Sequence, residues 1–135
     1  MLITKELLPG TLDMLILKAL SLGSTHGYGV LLRIEERSQG LLSLEQGSLY
    51  PALNRMDDRG LIASEWGTSL NNRRARFYRL TPAGIRRLEG ETHRWTRMVE
   101  AVSNVLDTHP HADPPNPETR PRVDLPNLDP LPSEA

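Results

Sequence analysis

The chain has 135 residues, no Cys and a formal net charge of -1. That length supports one domain with a core and some excess, and the lack of Cys excludes disulfides, thiolate catalysis and Cys-based metal sites. The near-neutral sum hides a segregation. Residues 61–80 hold Arg73, Arg74, Arg76 and Arg79 against Glu65 alone, whereas residues 109–135 hold five acids against Arg120 and Arg122. Partners are therefore read from the local pattern and not from the total. The start, MLITKELLPG, carries Lys5 and Glu6 and no long apolar run, so no signal peptide is expected. The longest uncharged run, between Lys18 and Arg33, is too short and too polar for a membrane helix. A soluble cytoplasmic protein is the expectation.

In chain order, GTLDMLILKALSL predicts a first helix, with Thr11 as N-cap, Asp13 in its first turn and Gly23 at its end. Leu12, Leu15, Ile16, Ala19 and Leu20 make a core stripe. THGYGVLLRIEERS predicts a second helix, opened by Thr25 or His26. Tyr28, Leu31, Leu32 and Ile34 are expected inward, and Arg33, Glu35, Glu36 and Arg37 outward. Gly27 and Gly29 weaken that helix and point to a close approach, either by the neighbouring helix, which is the favoured reading, or by a backbone phosphate. LLSLEQ is expected as a stub strand. QGSLYPALNRM predicts a third helix capped by Ser48, which puts Pro51 in the first turn, where its missing N–H is harmless. Steps of 100° place Leu49, Ala52, Leu53 and Met56 on one face. Tyr50, Pro51, Asn54, Arg55 and Asp58 fall on the other.

LIASEWG and RFYRL are strand-like runs joined by TSLNNRRA, a hairpin with a basic tip and a turn at Asn71-Asn72. Thr81 caps a fourth helix with Pro82 at its first position. Ile85, Leu88, Thr92, Trp95, Val99, Val102 and Leu106 repeat at spacings of three and four along it, a heptad seam. Such a helix runs roughly 38 Å, longer than the rest of the domain can cover, so a second copy of the same helix is the expected partner. Residues 109–135 hold eight of the eleven Pro. They read as a Pro-rich acidic disordered tail.

No metal site, cofactor or catalytic centre is expected. His26, His93, His109 and His111 lack metal-ligand spacing, and no phosphate loop or nucleophile elbow occurs. Asp57-Asp58 and Glu35-Glu36 are adjacent pairs that diverge on a helix. The expected fold is mainly α with a small β-hairpin, a winged helix-turn-helix followed by a long C-terminal dimerisation helix. Its segments are residues 1–81, 82–108 and 109–135. The expected function is binding of double-stranded DNA. The third helix enters the major groove with Ser48, Tyr50, Pro51, Asn54 and Arg55, Asn54 being suited to adenine. The wing brings Asn72, Arg73, Arg74 and Arg76 to phosphates or a narrow minor groove. Asp57 and Asp58 would repel DNA, which tilts the end of that helix out of the groove. The dimer interface is expected at Leu88, Thr92, Trp95, Val99, Val102 and Leu106. The competing reading is a winged-helix protein–protein adaptor without DNA binding.

LLPGTLDMLILKAL, HGYGVLLRIEE, GSLYPALNRMDDRGLI and RRARFYRLTPAG together resemble the PadR family of bacterial transcriptional regulators, over about residues 7–106. The resemblance implies a homodimeric winged-helix repressor binding an inverted repeat, with residues 48–59 as recognition helix and 67–76 as wing. Some relatives respond to phenolic acids or lipophilic drugs bound near the dimer interface, and in one such group a Trp on the last helix lines the cavity. Trp95 stands on the matching helix and is the candidate effector contact, although a Trp in a heptad seam is more often a dimer-core side chain. With only the Pro-rich tail after the last helix, the chain resembles the short type of the family, without an extra helical C-terminal domain.

Overall fold

A computed structural model describes residues 10–107. The tail expected over residues 109–135 lies outside them. The chain divides into two units, Met1–Glu100 and Ala101–Ala135, of which the second is described through residue 107.

Helix α1 (Thr11–Ser21) buries Ile16, Leu17, Ala19 and Leu20. Its N-cap is Gly10, left-handed at φ 88°, and not Thr11, which is the first helical residue. Glycine enters that backbone region without a Cβ clash. At the other end the Arg33 guanidinium donates to the carbonyls of Ala19 (3.0 Å) and Gly23 (2.5 Å). It thereby ties the next helix to the end of α1 and to the turn that follows it.

The two-residue strand β1 (Thr25–His26) precedes helix α2 (Gly27–Arg37). His26 Nδ1 accepts the Gly29 N–H at 3.0 Å and caps the helix. The inward stripe of α2 is Gly27, Val30 and Ile34. Tyr28 and Leu32, expected inward, are 52% and 46% exposed. Gly27 accounts for this: a Cβ there would stand 2.7 Å from the Tyr50 ring, so α2 turns its bare backbone toward the helix that carries Tyr50, while Ile34 is buried and Leu31 packs against the core as expected. The close approach foreseen at this glycine is thus to a helix. LLSLEQ forms no strand beyond an isolated bridge at Leu42. Instead Ser38 Oγ pins the turn, donating to the Glu35 carbonyl and accepting the Leu42 N–H, both at 3.0 Å.

Helix α3 (Gln46–Asp58) starts two residues before the expected cap, with an extended Glu45 as N-cap. The N–H groups of Ser48 and Leu49 both donate to the Glu45 carbonyl. Pro51 consequently sits in the second turn. The carbonyl it cannot serve belongs to Gly47, an exposed position open to water. Leu49, Ala52, Leu53 and Met56 are buried as the periodicity requires.

Strands β2 (Ile62–Thr68) and β3 (Arg74–Leu80) pair antiparallel from Ile62↔Leu80 to Thr68↔Arg74, and β1 adds to the free side of β3. Asn72, left-handed at φ 60°, closes the loop between them. Helix α4 (Pro82–Leu106) opens as expected: Thr81 Oγ1 accepts the Gly84 N–H at 3.1 Å and donates to the Gly60 carbonyl at 2.6 Å.

The core joins Ile16 and Leu17 of α1, Val30 of α2, Leu49, Leu53 and Met56 of α3, and Ile62 of β2, all fully buried. Each such side chain contributes about 1.5–3 kcal/mol. Gly84 is the tightest junction. A methyl group there would run into the Leu61 backbone carbonyl, so α4 and the start of β2 touch at backbone level. Gly84→Ala gains about 1 kcal/mol of helix propensity but forces two backbones apart, which costs about 1–3 kcal/mol. Urea unfolding is expected to show net loss of stability, and an Ala variant clearly more stable than the parent would contradict this packing.

Tyr78 lies in the same core, and burial raises its pKa above the ordinary value, with Arg76 opposing. A phenol whose folded pKa is raised binds its proton more tightly folded than unfolded. Its contribution is therefore complete below about pH 10 and is lost as pH rises from there through the folded value. Tyr78→Phe should flatten the alkaline fall in stability; an unchanged slope above about pH 10 would contradict the assignment.

Candidate nucleic-acid interface

The outward face of α3 carries Ser48, Tyr50, Pro51, Asn54, Arg55 and Asp58, all exposed. They are exposed because the opposite face is fully committed to the core. The helix N-terminus is open as well: Glu45 makes no side-chain cap, so the first N–H groups and the positive end of the helix dipole face solvent. Two of these side chains are partly engaged. The Tyr50 ring lies on Gly27 of α2 and remains 38% exposed. Arg55 donates to Asp13 Oδ1 at 2.6 Å, an exposed pair that ties α3 to α1. Ser48 and Asn54 have no partner among the described side-chain hydrogen bonds.

The hairpin register builds the second part of the surface. Thr68↔Arg74 at the loop sets Trp66 directly opposite Arg76. Arg74 and Arg76 then both lie against the Trp66 ring, with guanidinium carbons 4.5 and 5.7 Å from its centroid. Such contacts contribute about 0.5–1 kcal/mol at exposed sites, and they hold Arg74 extended beside the tip. Arg76 has a further task. Its Nε donates to Ser64 Oγ (2.9 Å), that hydroxyl donates to Asp57 Oδ2 (2.7 Å), and Arg76 pairs with the same carboxylate at 3.6 Å. This chain fastens the wing to the C-terminal end of α3. Asp57, read from sequence as repelling DNA, is spent on that link, while Asp58 is exposed. Arg73 and Arg74 remain as wing cations without a carboxylate partner among the described residues. Asn72 owes its left-handed backbone to the turn.

The sequence reading missed Trp66 and the Asp57–Ser64–Arg76 link. Both follow from the hairpin register, which the loop length alone leaves open by a residue. Between the two parts lies a solvent-open groove. It is lined by Tyr28 and Leu32 of α2, Tyr50 of α3, and Trp66, Arg73 and Arg74 of the hairpin, among others.

Helix α4 presents the predicted seam in part. Leu88 packs against the core of its own chain. Thr92, Trp95, Val99, Val102 and Leu106 are exposed, as are Ile85, Met98 and Val105. Beside this face, α1 and α4 enclose a groove of about 740 Å3 lined by Met14, Leu15, Leu88, Thr92 and Trp95. The α1 wall was not legible in the sequence, because Leu15 reads as an ordinary core position there. Among the described residues no cluster of three metal-ligating side chains occurs, and no helix is long and apolar enough to cross a membrane.

Three helices, a three-stranded antiparallel sheet with a cationic hairpin, and an exposed polar face on the third helix define a winged helix-turn-helix protein. The transcriptional regulator PadR-like family model matches residues 16–90. The chain is also similar to a transcriptional regulator from Clostridium thermocellum, at 26% identity and a TM-score of 0.67 over 76% of this chain and 97% of that one. A PadR family regulator from Eggerthella lenta matches at 30% and 0.63 over 74% and 85%. One from Clostridium difficile matches at 32% and 0.61 over 73% and 100%. The chain belongs to the PadR-like family and is a DNA-binding transcriptional regulator.

Proposed function

We propose that the protein is a homodimeric cytoplasmic repressor that binds an inverted repeat, with residues 1–81 contacting DNA and residues 82–108 forming the dimer. The observation that carries the reading is the pairing of the open, polar N-terminal half of α3 with the unneutralised Arg73 and Arg74 of a wing fastened to the same helix. In this reading Ser48, Tyr50, Pro51 and Asn54 enter the major groove, and Asn54 bonds adenine N6 and N7. Arg73 and Arg74 hold phosphates or a narrow minor groove, with Asn72 shaping the tip. Arg55 and Arg76 are mainly positioning residues, since each is already paired with a carboxylate. The dimer forms through Thr92, Trp95, Val99, Val102 and Leu106, with Leu88 at the edge toward the core. A small aromatic or lipophilic effector occupies the groove beside Trp95 and relieves repression by favouring a dimer with the wrong helix separation.

Retention on immobilised heparin or random DNA at low salt, with release by moderate salt, tests the reading. Passage through the column at low salt would favour the adaptor alternative, for which the exposed Tyr28, Leu32 and Trp66 would supply the surface. Asn54→Ala is expected to relax preference at one position per half-site, at a cost of about 1–3 kcal/mol on the preferred base. Fragment selection with parent and variant checks this, and an unchanged preference would remove Asn54 from the readout. Quenching of Trp fluorescence by aromatic acids, lost in Trp95→Ala but not in Trp66→Phe, tests the effector groove.

A further inference from the structure

Helices α1 and α2 and the turn after α2 line a hollow of about 210 Å3, which shares no lining residue with the wing-side groove. The hollow is lined by the aliphatic side chains of Leu15, Ala19, Ile34 and Leu42, by Ser38 and by the cations Lys18, Arg33 and Arg37, with no acid. None of the three cations has a carboxylate within ion-pair distance among the described residues. Arg33 is held in place by the Ala19 and Gly23 carbonyls, which orient its guanidinium without supplying a full negative charge. Lys18 and Arg37 are exposed and stand in the last turns of α1 and α2. There they favour the negative ends of both helix dipoles. Three cations beside aliphatic side chains are a mismatch for water and a match for one kind of molecule.

We propose that this hollow binds a short aliphatic carboxylate, with its acyl chain on Leu15, Ala19, Ile34 and Leu42 and its carboxylate between Arg33 and Arg37. The size sets the chain length. Drug-sized ligands occupy about 300–1,000 Å3, and an apolar cavity of about 150 Å3 takes a single benzene, so a hollow of this volume takes a chain of a few carbons. Its lining offers no aromatic ring for stacking, which favours an acyl chain over an aromatic acid. The site is separate from the α1–α4 groove. Leu15 and Lys18 border both, but Arg37, Ser38 and Leu42 line the hollow alone and Trp95 lines the groove. It is independent of the DNA-binding reading. One wall is the turn pinned by Ser38, so an occupant touches the hydrogen bonds that set the path from α2 to α3.

The test is titration of the full chain with hexanoate, hexanamide and benzoate, followed by calorimetry and by backbone amide shifts. Hexanoate is expected to bind and to move the amides of residues 38–42. Hexanamide and benzoate should bind at least about tenfold more weakly, and Arg37→Gln should weaken hexanoate by about tenfold or more, the loss of one charge-assisted contact. Trp95→Ala should leave hexanoate binding unchanged. Equal binding of the amide, no shift in residues 38–42 at millimolar hexanoate, or loss of binding in Trp95→Ala with retention in Arg37→Gln would each overturn the proposal. Thermal melts of both variants confirm that they are folded; both altered side chains are exposed.

Discussion

Replacing Arg73 and Arg74 together with Ala is expected to weaken binding to every duplex, and to weaken it least at high salt. Each phosphate neutralised contributes about 0.9 to the slope of log affinity against log salt. A dimer losing four guanidiniums should lose roughly 3–4 from that slope, and on the order of a hundredfold or more in affinity at low salt. The prediction singles out these two because the structure divides the basic cluster. Arg76 faces the Asp57 carboxylate and Ser64, so its charge is largely used inside the fold. Arg73 has no such partner among the described residues, and Arg74 rests on the uncharged Trp66 face. Arg76→Ala should therefore change the slope by less and loosen the wing instead. Stability of the double variant should fall by no more than about 1 kcal/mol, as both residues are exposed and away from the core and only the Arg74–Trp66 contact is lost. A double variant with the parental slope would remove the wing from the interface.

Val99→Asp with Val102→Asp is expected to convert the protein to a monomer without unfolding it. Both side chains are near half exposed in the single chain, at 43% and 46%, so the chain's own fold tolerates a charge there. In a dimer seam the same positions are dry, and four unpaired carboxylates in apolar surroundings cost several kcal/mol. Losing the second subunit also makes each half-site contact independent. The expected loss of affinity for a two-half-site duplex is about 10²–10⁴-fold. Sedimentation and thermal melts read the two effects separately. A variant that remains dimeric would move the interface off this face of α4.

The architecture was legible because its signals are long and mutually consistent. The stripe Leu49–Ala52–Leu53–Met56 fixed which side of α3 faces out, and Thr81-Pro82 marked where α4 begins. What escaped depends on contacts between elements. β1 is two residues long, too short to show any period, and exists because β3 offers a free edge. The face of α2 was misread at Tyr28 and Leu32 because the deciding fact, Tyr50 lying on Gly27, involves a different helix. Local propensity placed the cap of α3 at Ser48, where a good capping side chain stands, but the chain bends earlier, at an extended Glu45. The candidate site divides the same way. Its cations and its outward face were visible in the sequence, whereas their pairing was not. Arg55 with Asp13 and Arg76 with Asp57 separate positioning charges from those free to meet a phosphate.

Hydroxyl-radical footprinting of a fragment selected from the host genome reads how far apart the two recognition helices of a dimer meet the duplex. Two protected patches are predicted on one side of the duplex, centred about 34–36 Å apart and related by the symmetry of an inverted repeat. A single patch, or no protection at low salt by protein shown to be folded, would contradict the account.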